Sequence, residues 1–400
     1  MIRKGVFIVG AKRTPFGAFG GSFKNISPTE LSVISTKAAL AQANVQPEMI
    51  DSIYFGNVIQ CGKDAAYLAR HVALKCGARL DSTALTLNRL CGSGFESVVQ
   101  GAKDIQLGHA HVSICGGVEN MSAAPLSMAG EKVRFGVNLG SNLTAEDALW
   151  SGLTDAHAGV PMGITAENLA EKYGITRAEC DEYSILSQTR WAKAKEAGLF
   201  DAEMAPVEVP NRKKKVKVID TDEHPRPEST LEKISLLKPV FKKDGVVTAA
   251  NASGICDGAG SIILASEEAV NEHNLTPLAR LVSYHTSGCD PNIMGIGPVP
   301  AIKKALDFAG IASIDNVDRV EVNEAFAAQY LAVEKELGLD PEKTNSHGGA
   351  ISLGHPLGAS GSRIVAHLAN ELALSQNHKY HVGSACIGGG QGIAVVLEAV

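Results

Sequence analysis

The sequence has no C-x-x-C pair: its eight cysteines, at 61, 76, 91, 115, 180, 256, 289 and 386, never stand closer than fifteen residues apart. That excludes the common zinc-finger and dithiol redox motifs and fits a reducing compartment. No apolar run is long enough for a membrane helix, and no secretory apolar region opens the chain. An excess of positive charge is missing too, and a formal net charge of −6 argues against a general nucleic-acid binder. Residues 1–29 contain no Asp or Glu but carry Arg3, Lys4, Lys12, Arg13 and Lys24. Such a composition suits an organelle-targeting segment, although Val6-Phe7-Ile8-Val9 already reads as a strand of the fold.

What is present is a large soluble core, with 45% hydrophobic and 20% charged residues in 400. That length exceeds one ordinary core, so two or three domains, or one domain duplicated, are expected. Short apolar runs alternate with helical patterns, which predicts an α/β fold whose sheet is covered on both faces. Strands are expected at Gly5–Gly10, Asp51–Asn57, Ser82–Leu87 (buried) and His111–Gly117, with helices from Pro28 to Ala41 and from Ser93 onward. The same order returns later. Asp318 to Glu324 parallels Asp51, His355 parallels Cys91, and His381 to Cys386 parallels His111, at offsets of 267, 264 and 270 residues. Order and spacing kept together point to a duplicated unit whose loops meet at a shared site. Residues 121–245 break the rhythm and read as an insertion, with a helical stretch over 167–197 and a basic run over 212–217 that reads first as a solvated hairpin tip.

Four elements carry the chemistry. Leu87-Asn88-Arg89-Leu90-Cys91-Gly92-Ser93-Gly94 places a thiol between a strand end and a helix start, where free N–H groups and the helix dipole favour thiolate. His355 lies in the glycine-lined turn Gly354-His355-Pro356, where neither helix nor strand continues easily, and suits a base or oxyanion donor. Cys386-Ile387-Gly388-Gly389-Gly390-Gln391-Gly392 runs a second thiol into N–H groups that an anionic oxygen would accept from. Asn323, in Asn323-Glu324-Ala325-Phe326, sits at a strand end where it either holds a water or caps the next helix.

These motifs, with Asn251-Ala252-Ser253-Gly254 and Met294-Gly295-Ile296-Gly297-Pro298, resemble the thiolase superfamily over essentially the whole chain, and within it the degradative mitochondrial branch. The resemblance implies a duplicated α/β thiolase fold, with two mixed sheets in α-β-α-β-α layers plus an inserted loop region. Residues 1–272 would form the N-terminal half, including 121–245, and 273–400 the C-terminal half. It also implies a two-step acyl transfer between 3-ketoacyl-CoA and coenzyme A. Cys91 would be the nucleophile and His355 its base, with an Asn323-held water at the enolate oxygen, and Cys386 the acid that protonates the departing carbon. The N–H groups of Cys91 and Gly388 would form the oxyanion hole. Ser253 would meet pantetheine, Arg226 and Ser229 the nucleotide end of coenzyme A, and Met294 and Phe326 the acyl chain, while the basic run adds attraction for CoA phosphates. The implied partners are acyl-CoA, acetyl-CoA and coenzyme A as co-substrate, with no permanently bound cofactor or metal. A homodimer or homotetramer in the mitochondrial matrix is likewise implied.

One departure separates two activities. Acetoacetyl-CoA thiolases that condense two acetyl-CoA commonly have His-Met-Gly ahead of Thr-Ala-Glu-Asn, and here Pro161-Met162-Gly163 precedes Thr165-Ala166-Glu167-Asn168. That favours a degradative enzyme accepting longer chains. A non-catalytic lipid carrier is disfavoured because all four reactive residues are in place, and a β-ketoacyl synthase because the Cys-Ile-Gly-Gly-Gly element is present.

Overall fold

Strand β1 (Val6–Arg13) lies at the seam of a ten-stranded sheet in the computed structural model, which describes residues 5–210 and 216–400. Helix α1 (Pro28–Ala43) follows, started by a reciprocal Ser27–Glu30 capping box with Pro28 in its first turn and ended by Asn44 in a left-handed conformation. In the first half come β2 (Ser52–Gly56), α2 (Leu68–Cys76), β3 (Thr83–Leu87), α3 (Ser93–Leu107) and β4 (Val112–Asn120). The intervening region contains α4 (Met162–Tyr173) and α5 (Arg177–Glu196), two helices where the sequence suggested one stretch. Gly174, left-handed, divides them, and a second capping box at Thr176 and Glu179 starts α5. A hairpin pairs Val207–Pro210 with Val216–Ile219. Most of the basic run, residues 212–215, lies outside the described residues.

The second half runs β5 (Cys256–Ser266), β6 (Ala279–Gly288), α6 (Pro298–Ala309), β7 (Arg319–Val322), α7 (Ala327–Leu337), α8 (Leu357–Leu374), β8 (Tyr380–Ile387) and β9 (Gln391–Glu398). Sheet order is β7-β8-β9-β6-β1-β5-β4-β2-β3, with a two-residue strand, Gly17–Ala18, added beside β5. Outward from the β1–β6 seam, the orders β1-β5-β4-β2 and β6-β9-β8-β7 repeat one another. In both, the antiparallel pairs lie nearer the seam and the corresponding parallel pairs, β4 with β2 and β8 with β7, lie outside them. A parallel bridge from Val320 to Thr344 stands where β3 stands in the first half. This is the duplication expected from the offsets.

The expectation of two separate sheets needs correction. The halves join through two residue pairs, Phe7 with Arg280 and Ile8 with Ala279, because β1 and β6 run side by side there. The layering still holds. One apolar core packs α1 and α2 on the first-half strands, and another packs α6 and α7 on the second-half strands. The core between them holds α3 and α8, including Phe95, Val98, Ile364 and Leu368. Those central helices meet where a side chain on Gly94 would lie 2.4 Å from the Ser362 nitrogen, and one on Gly361 2.2 Å from the Phe95 nitrogen. Strand β3, expected to be buried, is instead the sheet edge, and Leu85 on it is 51% exposed.

Candidate active site

Each reactive residue sits at the end of a strand or the start of a helix, and the duplication brings those ends to one place. Cys91 immediately precedes Gly92, the N-cap of α3, in a turn that holds Leu90 at a φ of 46°. Such strain persists only where the surroundings fix it. Here Asn88 Oδ1 accepts from the Leu90 N–H (2.9 Å), and the Ser93 hydroxyl accepts from the Arg89 N–H and donates to the Leu90 carbonyl. Arg89 pairs with Glu96 on α3 and donates across the halves to Gln391 Oε1 (3.0 Å), tying the Cys91 turn to the Cys386–Gly392 element.

From that element the Gly388 N–H is directed at the Cys91 sulfur, as is the N–H of Cys91 itself. Gly388 comes this close because it lacks a side chain: a Cβ there would lie 2.2 Å from Met162 Cε and 3.0 Å from Leu90 Cδ1. Two left-handed glycines, Gly389 and Gly390, then turn the chain back into β9. Cys386, the last residue but one of β8, is fully buried among Met162, Met294 and Ala325, with Phe326 alongside. The two sulfurs are near enough that charge on Cys91 raises the Cys386 thiol further above its ordinary value, on top of burial.

The place of Cys91 between a strand end and a helix start favours thiolate, but burial opposes it. Burial pushes the thiol up to about 11, and this outweighs the N–H groups of Gly388 and Cys91 that draw it down. The thiol therefore needs a base. His355 is 5% exposed, and burial lowers its imidazole to about 4, which keeps it neutral at physiological pH. Leu357, two residues on from it at the start of α8, shares an apolar cluster with Cys91.

Hydrogen bonds decide which nitrogen of His355 is free. Ser360 Oγ donates to the Pro356 carbonyl (3.2 Å), so its oxygen accepts the Nδ1 proton of His355 at 2.5 Å. The lone pair is left on Nε2, which faces Asn323 Nδ2 at 3.4 Å. Asn323 does not cap α7; Phe326 holds that position, without a side-chain cap. Its Oδ1 is buried and finds no partner among the described residues, as an acceptor turned toward a bound donor would be. Neighbouring Glu324 accepts from Tyr183, Ser187, Asn345 and the Ile351 N–H, locking the strand end to the glycine-rich loop that leads to His355.

The residues expected at coenzyme A and the acyl chain occupy separate places. Arg226 and Ser229 line a cavity of about 230 Å³ with Ser184, Gln188, His224 and Ile351. Arg226 Nη1 is already engaged there, donating to the carbonyls of Glu223, His224 and Pro225. His224, on the cavity wall, packs on Gly254, whose carbonyl accepts the backbone N–H of His355 (2.8 Å). Ser253 is held by its N–H donating to the Ala325 carbonyl. Met294 is 2% exposed in the Cys386 cluster, with Phe326 packed on it and edge-on to Phe241.

Sequence reasoning missed three contributors. Ser360 orients His355 from one helical turn beyond Pro356, a relation visible only once α8 is known to start there. Met162 joins the Cys386 cluster from α4, in the region read as an insertion. Glu119 is fully buried and accepts from Asn57 and from the N–H groups of Val58, Ile59 and Gly358, bracing the start of α8 against β4. Burial raises its carboxyl to about 8. Nothing in its flanking sequence marks that role.

Comparison with known proteins agrees over the full length. The model for "Thiolase, N-terminal domain" matches residues 6–268 and that for "Thiolase, C-terminal domain" residues 275–399. The chain is 59% identical over 395 residues to the mitochondrial 3-ketoacyl-CoA thiolase of Bos taurus, covering 99% of this chain and 98% of that one. It is 46% identical over 395 residues to the acetyl-CoA acetyltransferase of Escherichia coli, with 99% of each covered. The crystal structure of human mitochondrial 3-ketoacyl-CoA thiolase superposes with a TM-score of 0.97 at 57% identity, covering 100% of both chains. The human enzyme in complex with CoA gives a TM-score of 0.96 at 58% identity, covering 100% of this chain and 99% of that one.

Proposed function

The chain belongs to the thiolase family, and from that membership we propose how its residues divide the CoA-dependent cleavage of a 3-ketoacyl-CoA. His355 Nε2 takes the Cys91 proton as sulfur attacks the 3-keto carbon. The Cα–Cβ bond then breaks; its electrons form the acetyl-CoA enolate, and the acyl group stays on Cys91 as a thioester. Cys386, a thiol kept protonated by burial, gives its proton to the enolate carbon and releases acetyl-CoA. His355 and a water held by Asn323 donate to the enolate oxygen, and the Cys91 and Gly388 N–H groups hold the oxyanion at the acyl carbon. Cys386, now a thiolate, takes the thiol proton of incoming coenzyme A, whose sulfur attacks the thioester; as the chain-shortened acyl-CoA leaves, His355 returns its proton to Cys91, so both thiols and the neutral imidazole are restored. The observation that carries this reading is the Gly388 N–H aimed at a buried thiol beside a second buried thiol.

A degradative role for chains longer than C4, in fatty-acid β-oxidation, is the specific reading. Pro161, not histidine, precedes Met162, and apolar Met162, Met294 and Phe326 surround Cys386. Burying a methylene contributes about 0.8 kcal/mol, so kcat/KM should rise roughly three- to fourfold per added carbon until the pocket is full. A series of 3-ketoacyl-CoA substrates from C4 to C16 measures this, and a maximum at C4 would favour acetoacetyl-CoA chemistry. For the carrier, Arg226→Ala is expected to raise the KM for coenzyme A and for the acyl-CoA donor by about tenfold, with little change in the rate of Cys91 acylation at saturating donor. Stopped-flow acylation alongside steady-state thiolysis separates the two. An unchanged KM would remove Arg226 from the coenzyme A site.

The assembly proposed is a homodimer or homotetramer. Exposed edge strand β3 carries Leu85, and Leu80 just before it is 82% exposed, a surface suited to a second copy. Residence in the mitochondrial matrix rests on relatives named mitochondrial and on the acid-free, basic residues 1–29.

A further inference from the structure

We infer that His347, His367 and Glu371 form a second site, separate from the thiolase centre, for a divalent d-block cation of the zinc type. The three lie where the loop after Asn345 crosses the last turns of α8, and each offers a ligand atom within 4.8 Å of the other two. His347 Nδ1 and His367 Nε2 are 2.9 Å apart, with the rings edge-to-face at 89°. That geometry points both nitrogens at the space between the rings.

The protonation pattern favours a metal there. His367 Nδ1 is 2.7 Å from Glu203 Oε2, while Glu203 Oε1 is held 2.6 Å from Arg13 Nε. A carboxylate paired with arginine accepts from His367 Nδ1–H, and Nε2 is the nitrogen turned toward His347. A carboxylate behind the far nitrogen of an imidazole is the usual support for a metal-binding histidine. Here it is buried, with Glu203 1% and His367 6% exposed. A proton shared between His347 and His367 occupies the place that the cation would take. The ion would gain two imidazole nitrogens and one carboxylate oxygen, a donor set suited to zinc, nickel or copper rather than calcium or magnesium.

Glu371 keeps ligand capacity, since Arg319 Nε pairs with its Oε1 at 2.8 Å and a carboxylate has a second oxygen. His347 and Glu371 are both partly exposed, and a cavity of about 10 Å³, near the volume of one water, opens beside them. The ion would tie the glycine-rich loop leading toward His355 to the last turns of α8. A neighbouring trio, Glu371, His378 and His381, shares the carboxylate. It is less suited, because His381 Nδ1 faces both Glu371 Oε2, at 4.0 Å, and the Leu368 carbonyl, at 3.1 Å, which takes its proton.

The test uses the full chain, freed of metal with a chelator, reduced, and titrated with Co²⁺ and then Zn²⁺. The expected result is one equivalent of Co²⁺ with visible d–d bands, no thiolate-to-cobalt charge transfer, and displacement by Zn²⁺. His347→Gln and Glu371→Gln should each weaken binding about tenfold or more, whereas His378→Gln should not. Thiolytic activity of His347→Gln, equal to wild type, shows that the variant is folded. Absence of saturable binding, thiolate charge transfer in its place, or loss in His378→Gln but not His347→Gln would each overturn the assignment.

Discussion

Replacing Cys386 with alanine is expected to slow cleavage of a 3-ketoacyl-CoA by about 10²–10⁴-fold, the usual range for a lost acid–base group. Transfer of an acyl group from a simple acyl-CoA onto Cys91 should persist. The division follows from where the protons are. Cys386 is completely buried, its thiol held well above its ordinary value, so it meets the enolate as an acid with its proton in place. Its neighbours Met162, Met294, Ala325 and Phe326 have no acidic side chain to replace it. Acylation of Cys91 by a plain thioester forms no carbanion, and the coenzyme A thiolate it expels, far less basic, needs that proton less. Burst labelling with an acyl donor, set against steady-state cleavage of a 3-ketoacyl-CoA, reads the two steps apart. Normal cleavage by Cys386→Ala would remove the second sulfur from the chemistry; loss of labelling as well would make Cys386, and not Cys91, the nucleophile.

His355→Ala is expected to lose about 10²–10⁴-fold in acylation rate and to acquire a different pH profile. With the Cys91 thiol at about 11, only about one in 10⁴ molecules carries a thiolate at pH 7 unless a base removes the proton during attack. The variant should therefore speed up roughly tenfold per pH unit across the neutral range, following the thiolate fraction. Wild type should behave otherwise. An imidazole must be neutral to accept a proton, and burial places that of His355 at about 4, so its acid limb falls below pH 5 and the rate is flat from there to pH 8. Single-turnover acylation across this range is the measurement. A wild-type limb near 6.5 would mean that burial does not set the imidazole's pKa, and parallel profiles would mean that His355 is not the base.

Much of this arrangement was legible before the fold was seen, because duplication writes itself into spacing. Helices α3 and α8 start at Ser93 and Leu357, the same 264-residue offset found between Cys91 and His355. Glycine clusters marked the places where backbones approach, and Gly94, Gly361 and Gly388 are indeed packed where a Cβ would collide. What local pattern does not carry is which strands become neighbours. Ser82 to Leu87 reads as a buried strand from its apolar, β-branched content, yet it lies at the sheet edge. The seam between β1 and β6 rests on two residue pairs, too few to leave a sequence signal.

Electrostatics was the other blind spot. A helix start beside a thiol suggests thiolate, but how far burial raises that thiol depends on apolar residues from distant segments, Val58, Met121, Leu149 and Leu357 among them. The same holds for Glu119 and Ser360, whose partners, Gly358 and His355, are assembled only once α8 is in place.

The central claim is that one thiol of eight carries the acyl group. Incubating the wild-type chain with an acyl-CoA in the absence of free coenzyme A, quenching in acid and mapping the peptides by mass spectrometry tests it directly. The account predicts a single acyl adduct per chain on the peptide containing Cys91, discharged when coenzyme A is added before the quench. An adduct on Cys386 or any other cysteine, or no covalent adduct while turnover proceeds, would contradict it.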